Sequence, residues 1–528
     1  MTDPVLELLR RHPDLAALAA FPFQFDLDRA RHVEDVHLAS GAPLEPIAGD
    51  DTGGTYFLCE GGAVLHASSE GDAALLADSV GEALEILIRL PWWCEEVSAD
   101  LGEDELAAVL RAGDTEAKEE FAPELDEQRA RLLAGLGLPD RPLTELVARS
   151  EAAALRTEPD HVLLGSAELR AYRVHESARR PLREVVLGPG REALERMRAG
   201  DAGARETAAG DPVLRAGVLH AASYDPRDDD LPLLRFLLAR EDAERTEWYA
   251  ERWLAAALVA PHARDADIPL LRSATDGQVA DRAGAVAFAR AAETRRRERE
   301  GTAEEEFAWA DLALRQERVA HARIALIRLL DDTGPDADRL RRLSRALERA
   351  GDHAQAARAR ADLLSLQDTA AGRASQAYVL ARLERLKGDL EAAGHALERA
   401  RAAVGADGPR GRAATDTGDP GLLRRGLGRL ITEQHLELTL AAIDAADAGL
   451  ARATMAHARR LLDLIGKESA KELAPLSTRG EMGGGAPAHL TPRRGTRGNG
   501  VPPRPRPVPL AEPLPPAPEI RLVQPVDQ

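Results

Sequence analysis

An internal repeat in the middle of the chain limits the fold more than any other feature of the sequence. The segment DLPLLR, from Asp230 to Arg235, recurs 37 residues later as DIPLLR, from Asp267 to Arg272. In each copy we predict that a helix begins here, with Asp as its N-cap and Pro in its first turn. A second stretch of helical composition follows each copy, at 244–260 and 278–293. A two-helix repeat of this length predicts pairs stacked side by side into an α-solenoid.

These two copies resemble the HEAT repeat, whose first helix often begins in this way and packs against a second. In this interpretation DPVLRAGVLHAAS, at 211–223, is the second helix of an earlier and more degenerate copy. The resemblance implies HEAT-like helical pairs over residues 205–300.

A second repeat follows, with different chemistry at its turn. Gly351-Asp352 and Gly388-Asp389 lie 37 residues apart, each between two stretches of helical composition. Around the second turn, small and apolar residues occupy close-packing positions: Leu380, Ala381, Ala393, Leu397 and Ala400. The pattern resembles the tetratricopeptide repeat and implies such pairs over 301–470, the last at 430–465. Arg360 departs from it, because a bulky apolar side chain is expected there.

The first hundred residues differ from the rest, because short β-like runs replace the helical patterns. FPFQF, at 21–25, alternates with a period of two, which predicts a strand with one buried face. Four further β-like runs lie at 35–39, 44–48, 54–60 and 63–67. A helix over 77–90 follows, capped by Asp78 or Ser79 and ended by Pro91. We predict a small α+β domain over 1–100, an antiparallel meander plus helices.

Part of this domain resembles the SUKH superfamily. The resemblance rests on PIAGDDTGGTYFL at 46–58, on the acidic turn at Glu70-Gly71, and on Leu76 to Val80 entering the helix. The Leu-Pro helix and Gly-Gly segment of the family are not evident, and Leu65-His66 stands where Trp or His followed by Glu is usual. The resemblance implies a non-enzymatic module that binds a protein partner, as in toxin-immunity proteins.

The negative charge of the chain is confined to its front. Residues 1–150 carry 31 acidic and 11 basic side chains, whereas residues 151–528 carry 58 of each. An acidic front repels phosphate and the remainder offers no surplus of positive charge, so the composition argues against nucleic-acid binding. The same charge favours a basic protein partner, attracted at long range.

Catalytic signatures are absent from the sequence. It contains no HExxH, no phosphate loop ending in Gly-Lys-Ser/Thr and no GxSxG. Gly188-Pro189-Gly190 follows REVVLG (183–188), which reads equally as strand or helix, and we predict a turn between helices there instead of a nucleotide site.

Two other groups of polar residues are weak candidates for a catalytic or metal site. Cys59 and His66 flank the turn at 60–62, but no acid is placed to orient a nucleophile–base pair. His66, Glu70 and Asp72 are three candidate metal ligands on one short stretch, which is weak evidence for a metal site. We therefore predict no catalytic residue, no cofactor and no metal.

The candidate contact residues combine acidic turns with two adjacent indoles. We expect one indole to pack on the sheet and the other to form an exposed contact anchor. The candidate partner-binding residues are Asp50, Asp51, Glu70, Asp72, Trp92 and Trp93.

The rest of the chain completes a multidomain architecture. Residues 101–204 are predicted as a helical linker region. Residues 476–528 hold 12 of the 33 prolines and no aromatic residue, so we predict a Pro/Gly-rich disordered tail over 471–528. We see no signal peptide and no membrane span, and only two cysteines, which favours a cytoplasmic protein.

The sequence thus favours an interaction scaffold, possessing an acidic module, a mostly α-helical solenoid and a tail. An immunity-type protein that binds a basic partner is one concrete form of this expectation. The alternatives are a regulatory or structural solenoid that self-associates or holds client peptides, and an enzyme of unrecognised type, which the missing motifs disfavour.

Overall fold

An antiparallel sheet occupies the N-terminal part of the protein, and helices make up most of the remaining chain. The computed structural model describes residues 3–94, 97, 100–175, 178–245, 249–405, 421 and 426–484. The strands are β1 (Val36–Leu38), β2 (Leu44–Gly49), β3 (Thr55–Cys59), β4 (Val64–Ala67), β5 (Ala73–Ala77) and β6 (Leu163–Gly165). β2 to β5 form a four-stranded meander in chain order, whereas β1 pairs with β6 in a second, two-stranded sheet. The predicted α+β domain followed by a helical solenoid is confirmed.

The helices fall into an N-terminal group and a longer C-terminal series. The first group is α1 (Pro4–Arg11), α2 (Pro13–Ala20), α3 (Val80–Arg89), α4 (Glu103–Glu120), α5 (Leu125–Leu136) and α6 (Leu143–Ala154). The middle of the chain holds α7 (Leu182–Arg198), α8 (Ala202–Gly210), α9 (Pro212–Tyr224), α10 (Leu231–Glu244), α11 (Tyr249–Val259), α12 (Ile268–Ala274) and α13 (Arg282–Arg299). Helical pairs and a last single helix follow: α14 (Ala303–Arg315), α15 (Val319–Asp331), α16 (Ala337–Arg349), α17 (His353–Ser365), α18 (Ala370–Lys387), α19 (Leu390–Ala403), α20 (Leu427–Asp444), α21 (Ala448–Leu462) and α22 (Lys467–Gly484).

The N-terminal sheet is covered on both faces. Tyr56 and Leu58 lie in one apolar cluster with residues of α1, α3 and α5, such as Leu132. Phe57 and Leu65, on the opposite face, lie in a cluster that includes residues of β1 and β6. The structure therefore differs from the predicted division at residue 100, because α4 to α6 and β6, within 101–204, pack with the sheet instead of forming a separate linker.

The predicted strand at 21–25 is wrong. The chain turns there: Gln24 has a φ of +55°, outside the extended region, and Pro22 has no N–H to donate to a strand ladder. The amide of Phe25 instead donates to the carbonyl of Ala19, so the segment folds back on the end of α2. Phe23 and Phe25 are buried, as their alternation predicts, but Phe21 is 48 % exposed.

The predicted turn at Gly188-Pro189-Gly190 is also wrong, because α7 runs straight through it. The reason lies 27 residues away, in α9. A Cβ built on Gly190 would lie 2.3 Å from the backbone carbonyl carbon of Gly217. The two glycines thus let the backbones of α7 and α9 cross in direct contact, and this close packing holds residues 182–198 in one helix.

The DLPLLR and DIPLLR segments begin α10 and α12, as predicted, but the Asp side chains work differently. Asp230 and Asp267 each accept a hydrogen bond from the backbone N–H three residues before them, at 3.1 and 2.8 Å, so they fix the turn that enters the helix. Each also binds an arginine that lies 32 residues earlier in the chain: Arg198 meets Asp230 at 2.6 Å and Arg235 meets Asp267 at 2.7 Å. In the second pair, the last residue of the DLPLLR segment binds the first residue of the DIPLLR segment.

The predicted turns of the second repeat are confirmed in detail. Gly351 and Gly388 have φ of +77° and +95°, and the following Asp352 and Asp389 accept from backbone N–H groups three residues later, both at 2.9 Å. These contacts end one helix and cap the next. α16 therefore packs against α17, and α18 against α19, with further packing between α17 and α18.

The predicted disordered tail begins too early. Residues 471–484 belong to α22, and Leu473 is buried in a cluster with Leu436, Met455 and Ile465. This apolar contact outweighs the Gly and Pro content of the segment. The remaining tail, from 485 onward, lies outside the described residues, as does the Gly/Asp/Thr-rich loop at 406–420.

A buried histidine in α20 gives the helical region a pH dependence. His435 is 1 % exposed, and its Nε2 lies 3.4 Å from a guanidinium nitrogen of Arg401. Burial, assisted by the charges of Arg401, His457 and Arg460, lowers the pKa of His435 to about 3. The imidazole is therefore neutral in the folded protein at pH 5, whereas in the unfolded chain it is mostly protonated there.

We predict that this difference costs stability as the pH falls. Between about pH 6.5 and 3 the unfolded chain binds one proton more than the folded protein at this site, which lowers the free energy of unfolding by ~1.4 kcal/mol per pH unit. From pH 6.5 to 5 the loss is about 2 kcal/mol, and His435→Gln should remove it. Urea unfolding at several pH values measures the effect. The exposed His395 on α19 provides the control, since His395→Gln should keep the wild-type slope. An unchanged slope in His435→Gln would contradict the assignment.

Candidate interaction surface

The structure brings the four predicted acidic residues to one end of the sheet. Asp50 and Asp51 lie in the β2–β3 turn, and Glu70 and Asp72 in the β4–β5 turn. In this meander both turns are at the same end, and a Cβ built on Gly53 would lie 3.5 Å from that of Ser69. The sequence gives no register for the strands, so this proximity could not be predicted from it.

Asp50 is used inside its own turn. It is 5 % exposed and accepts hydrogen bonds from the backbone N–H groups of Thr52 and Gly54, at 2.9 and 2.7 Å, and from Nε2 of His66, at 2.8 Å. Burial alone would raise the pKa of the Asp50 carboxyl, but the hydrogen bonds from His66, Thr52 and Gly54 hold it well below its ordinary value. The carboxylate fixes the turn and is not presented to a partner.

The neighbouring carboxylates are exposed but partly neutralised. Asp51 lies 3.0 Å from the guanidinium of Arg29, and Asp72 lies 3.0 Å from that of Arg173. Arg173 also donates to the backbone carbonyl of Glu70, whose own side chain is exposed. Because exposed ion pairs of this kind are weak, at about 0–1 kcal/mol, they can be exchanged for pairs with a partner.

Trp93 is the less exposed of the two indoles. It contacts the cluster that contains Phe23, and its Nε1 donates to Asp114 at 3.2 Å. Arg129 donates two hydrogen bonds to the same carboxylate, at 2.6 and 2.9 Å. This bidentate pair holds α4 to α5 beneath the indole.

Trp92 is the exposed indole, and it does not stand alone. It is 53 % exposed and stacks on Phe121, with ring centroids 5.9 Å apart and an interplanar angle of 19°. Phe121 also meets the edge of Phe21, at 6.2 Å, and Phe21 is itself 48 % exposed. We call these three rings, Phe21, Trp92 and Phe121, the aromatic patch. A hydrogen bond from Nε1 of Trp92 to the carbonyl of Pro22, at 3.3 Å, fixes the indole against this segment.

Exposed carboxylates adjoin the aromatic patch along the chain. Glu116, Glu119 and Glu120 form the end of α4, directly before Phe121, and Glu124 follows it; we call these four residues the acidic rim. Negative charges at the C-terminal end of a helix are unfavourable by roughly 0.3–1 kcal/mol each, because the helix dipole is negative there. A cation bound at the rim relieves this repulsion.

Two of the three rings could not be recognised in the sequence. The alternation around Phe21 predicts a strand that does not form, and Phe121 lies 29 residues after Trp92 with no local pattern that joins them. Their assembly depends on the packing of α4 and α5 onto the sheet. The run of acidic residues before Phe121 is the one signal in the sequence that points to this place.

Cys59 and His66 are kept apart by the sheet. His66 pairs with Tyr56 across β3 and β4, so its side chain lies on the face opposite to that of Cys59. Burial raises the pKa of the Cys59 thiol to about 11, and that of Cys94 to about 11 as well. Both thiols are therefore protonated at neutral pH, and His66 is not placed to act as a base toward Cys59.

A cleft lies between the sheet and the helical series. This cleft has a volume of about 1630 Å³ and is lined by α7, α15 and the segment 158–161. Glu158 bridges it, meeting Arg179 at 3.4 Å and Arg328 at 3.2 Å. The volume exceeds the roughly 300–1,000 Å³ of ordinary small-molecule pockets.

Similarity to known proteins does not identify this surface. No protein-family model matches the chain, and no curated protein matches it. In the part of the chain that the structure describes, no three or more His, Cys, Asp or Glu side chains are grouped so as to hold a metal ion. Over the same residues, no helix combines the length and apolar character needed to cross a membrane.

Proposed function

We propose that this protein is a non-enzymatic interaction scaffold whose N-terminal α+β module captures a basic protein segment on the aromatic patch and acidic rim. The observation that carries the proposal is Trp92, a large indole that is 53 % exposed and held rigid by stacking. Tryptophan at the centre of a contact is the residue type most often responsible for binding energy. Exposure of such a ring to water has no benefit for folding.

The charge of the surroundings indicates what the partner carries. Residues 103–127 contain ten acidic and two basic side chains, and the acidic rim lies within them. Lysine or arginine side chains of a partner are attracted by the carboxylates and also by the faces of exposed aromatic rings. Nucleic acid is disfavoured, since phosphates are repelled by the same charge.

An immunity-type protein that neutralises a basic toxin domain is one concrete form of this proposal. It is supported by the resemblance of residues 46–58 to the SUKH superfamily and by the meander in which they lie. A gene for a basic toxin beside this one identifies the first partner to test.

We predict that Trp92→Ala weakens partner capture at least tenfold without changing the melting temperature by more than about 2 °C. The physical reason is that the indole is a contact anchor and contributes little to the core. Titration calorimetry of the full chain with a synthetic Arg- and Leu-containing peptide, and with the product of a neighbouring toxin gene, measures the affinity.

The matched control is Val33→Ala. Val33 is 71 % exposed and belongs to the same module but not to the aromatic patch, so its loss should leave the affinity unchanged. Glu119→Lys with Glu120→Lys should slow association and flatten its dependence on salt. Binding that ignores both salt and Trp92 overturns the proposal.

The cleft favours a second candidate function, a solenoid that holds a client peptide. Its volume suits an extended segment, and the exposed Arg180 at its edge offers a charge to the ligand. Arg180→Glu separates the two functions, because it should weaken a cleft-bound client and leave capture at Trp92 intact. Self-association belongs to the same alternative and is measured by sedimentation.

A further inference from the structure

Arg360 is a buried arginine that joins three successive helices. It lies on α17 and is 5 % exposed. Its Nε donates to the hydroxyl of Ser344 on α16, at 3.3 Å, and its Nη1 donates to the side-chain carbonyl of Gln376 on α18, at 2.6 Å. Both partners are neutral, and this is the position at which the repeat pattern predicts an apolar side chain.

A buried guanidinium without a carboxylate partner is expensive for a fold. Burial, with the nearby positive charge of Arg345, lowers the pKa of Arg360 to about 10, so the side chain remains charged at neutral pH. An apolar residue of similar volume would usually serve stability as well or better. Among the described residues no carboxylate pairs with this guanidinium, whose two hydrogen bonds go to neutral groups, so its charge is available to an anionic ligand.

Three further arginines lie on the two helices that Arg360 joins. Arg341 and Arg345 lie one turn apart on α16 on either side of the position of Ser344, and Arg382 reaches from α18 to Glu348, also on α16. Glu348 is an acidic side chain whose charge acts on Arg360. Both of its carboxylate oxygens, however, bind Arg382, at 2.7 Å each. Arg341 is paired with Asp338. Four arginines thus face two carboxylates, which leaves a surplus of positive charge at this point of the helical series.

Arg345 is the accessible member of this group. Its side chain is exposed, and within the described residues it makes no hydrogen bond or ion pair with a carboxylate. Together with Arg360 it offers guanidinium N–H groups at two depths, one at the surface and one buried. Planar guanidinium groups bind oxyanions through pairs of parallel hydrogen bonds, which is the geometry of phosphate recognition.

We propose that Arg345 and Arg360, supported by Arg341 and Arg382, form a binding site for an oxyanion of the phosphate class. The anion would supply the counter-charge that Arg360 lacks, and binding would tighten the packing of α16, α17 and α18 around it. This site is separate from the aromatic patch, so its test does not depend on the proposed partner capture.

The experiment uses the full chain with inorganic phosphate and pyrophosphate as probes. At about 10 mM phosphate the melting temperature should rise by ~2 °C or more over chloride of the same ionic strength, since a ligand that binds only the folded state stabilises it. Pyrophosphate should bind at least as tightly, because more than one arginine contacts it. Arg345→Gln should weaken the binding of both about tenfold at an exposed position where folding is unaffected.

Two further variants make the result decisive. Arg349→Gln is the matched control, since Arg349 is exposed on the same helix, pairs with Asp311 and lies outside the arginine group. Arg360→Met should abolish the stabilisation by phosphate. If Arg360→Met fails to fold, Arg345→Gln is the variant that tests the proposal. The proposal is overturned if phosphate stabilises the protein no more than chloride does. It is also overturned if Arg345→Gln and Arg349→Gln weaken phosphate binding equally, because the effect is then general charge screening.

Discussion

Replacing Gly190 with alanine should destabilise the protein by about 3 kcal/mol or more, which corresponds to severe overpacking at one site. The added methyl would lie 2.3 Å from both the carbonyl carbon and the carbonyl oxygen of Gly217. These are backbone atoms within α9, so they can retreat only if the two helices separate. The separation would open the apolar clusters on both sides, where Val186, Leu187 and Leu194 are buried. Thermal and urea unfolding of the full chain measure the loss.

The same contact provides its own control from the other side. A Cβ on Gly217 would meet the nearest atom of Gly190, its Cα, at 3.5 Å, which is ordinary van der Waals contact. Gly217→Ala should therefore be neutral or stabilising by up to ~1 kcal/mol, since alanine favours a helix more than glycine does. Equal destabilisation by Gly190→Ala and Gly217→Ala would contradict this difference in the space around the two glycines.

Arg215→Met should cost about 3–5 kcal/mol, because it removes one member of a buried ion pair and leaves the other uncompensated. Arg215 is fully buried on α9, and its Nε lies 2.5 Å from Glu241, which is 1 % exposed. It also donates to the last carbonyls of α8, from Ala208 and Ala209, at 3.2 and 2.9 Å. One side chain thus joins α8, α9 and α10, and truncation releases all three contacts. The midpoint of urea unfolding gives the size of the loss.

The double variant Arg215→Met with Glu241→Leu should recover more than half of the loss, since no unpaired charge then remains in the interior. Glu241→Leu alone should be destabilising, because Glu244, at 2.6 Å, is then the one acidic partner left to Arg215 among the described residues. If the double variant is as unstable as the sum of the two single variants, the coupling between the two side chains is absent.

Local chemistry in the sequence was sufficient at several positions where one residue fixes the backbone. The cap at Ser79, whose hydroxyl accepts from the amide of Glu82 at 3.2 Å, and the turns at Gly351 and Gly388 were predicted for this reason. Strand β5 was not predicted. Its sequence, AALLA, consists of good helix formers, and only pairing with β4 on the sheet makes it extended.

Features that depend on contacts between distant residues could not be predicted from one sequence. Gly190 looks like part of a turn until Gly217 is placed beside it, and Phe121 looks like a lone aromatic residue until Trp92 stacks on it. The acidic residues show the opposite case. Asp50 is prominent in the sequence because its turn is rich in Asp and Gly, yet the structure uses its carboxylate to hold that turn.

The pairing of β1 with β6 has a consequence for the synthesis of the chain. Leu38 bonds to a strand that begins about 125 residues later. At about 5–20 residues per second, a ribosome takes roughly 6–25 s to supply that partner, and β1 waits with an open edge. The N-terminal module therefore cannot complete its folding at the moment when β2 to β5 leave the ribosomal exit tunnel. If translation pauses before residue 163, the edge of β1 stays unpaired for longer. In fragments that end before β6, this edge has no partner strand at all.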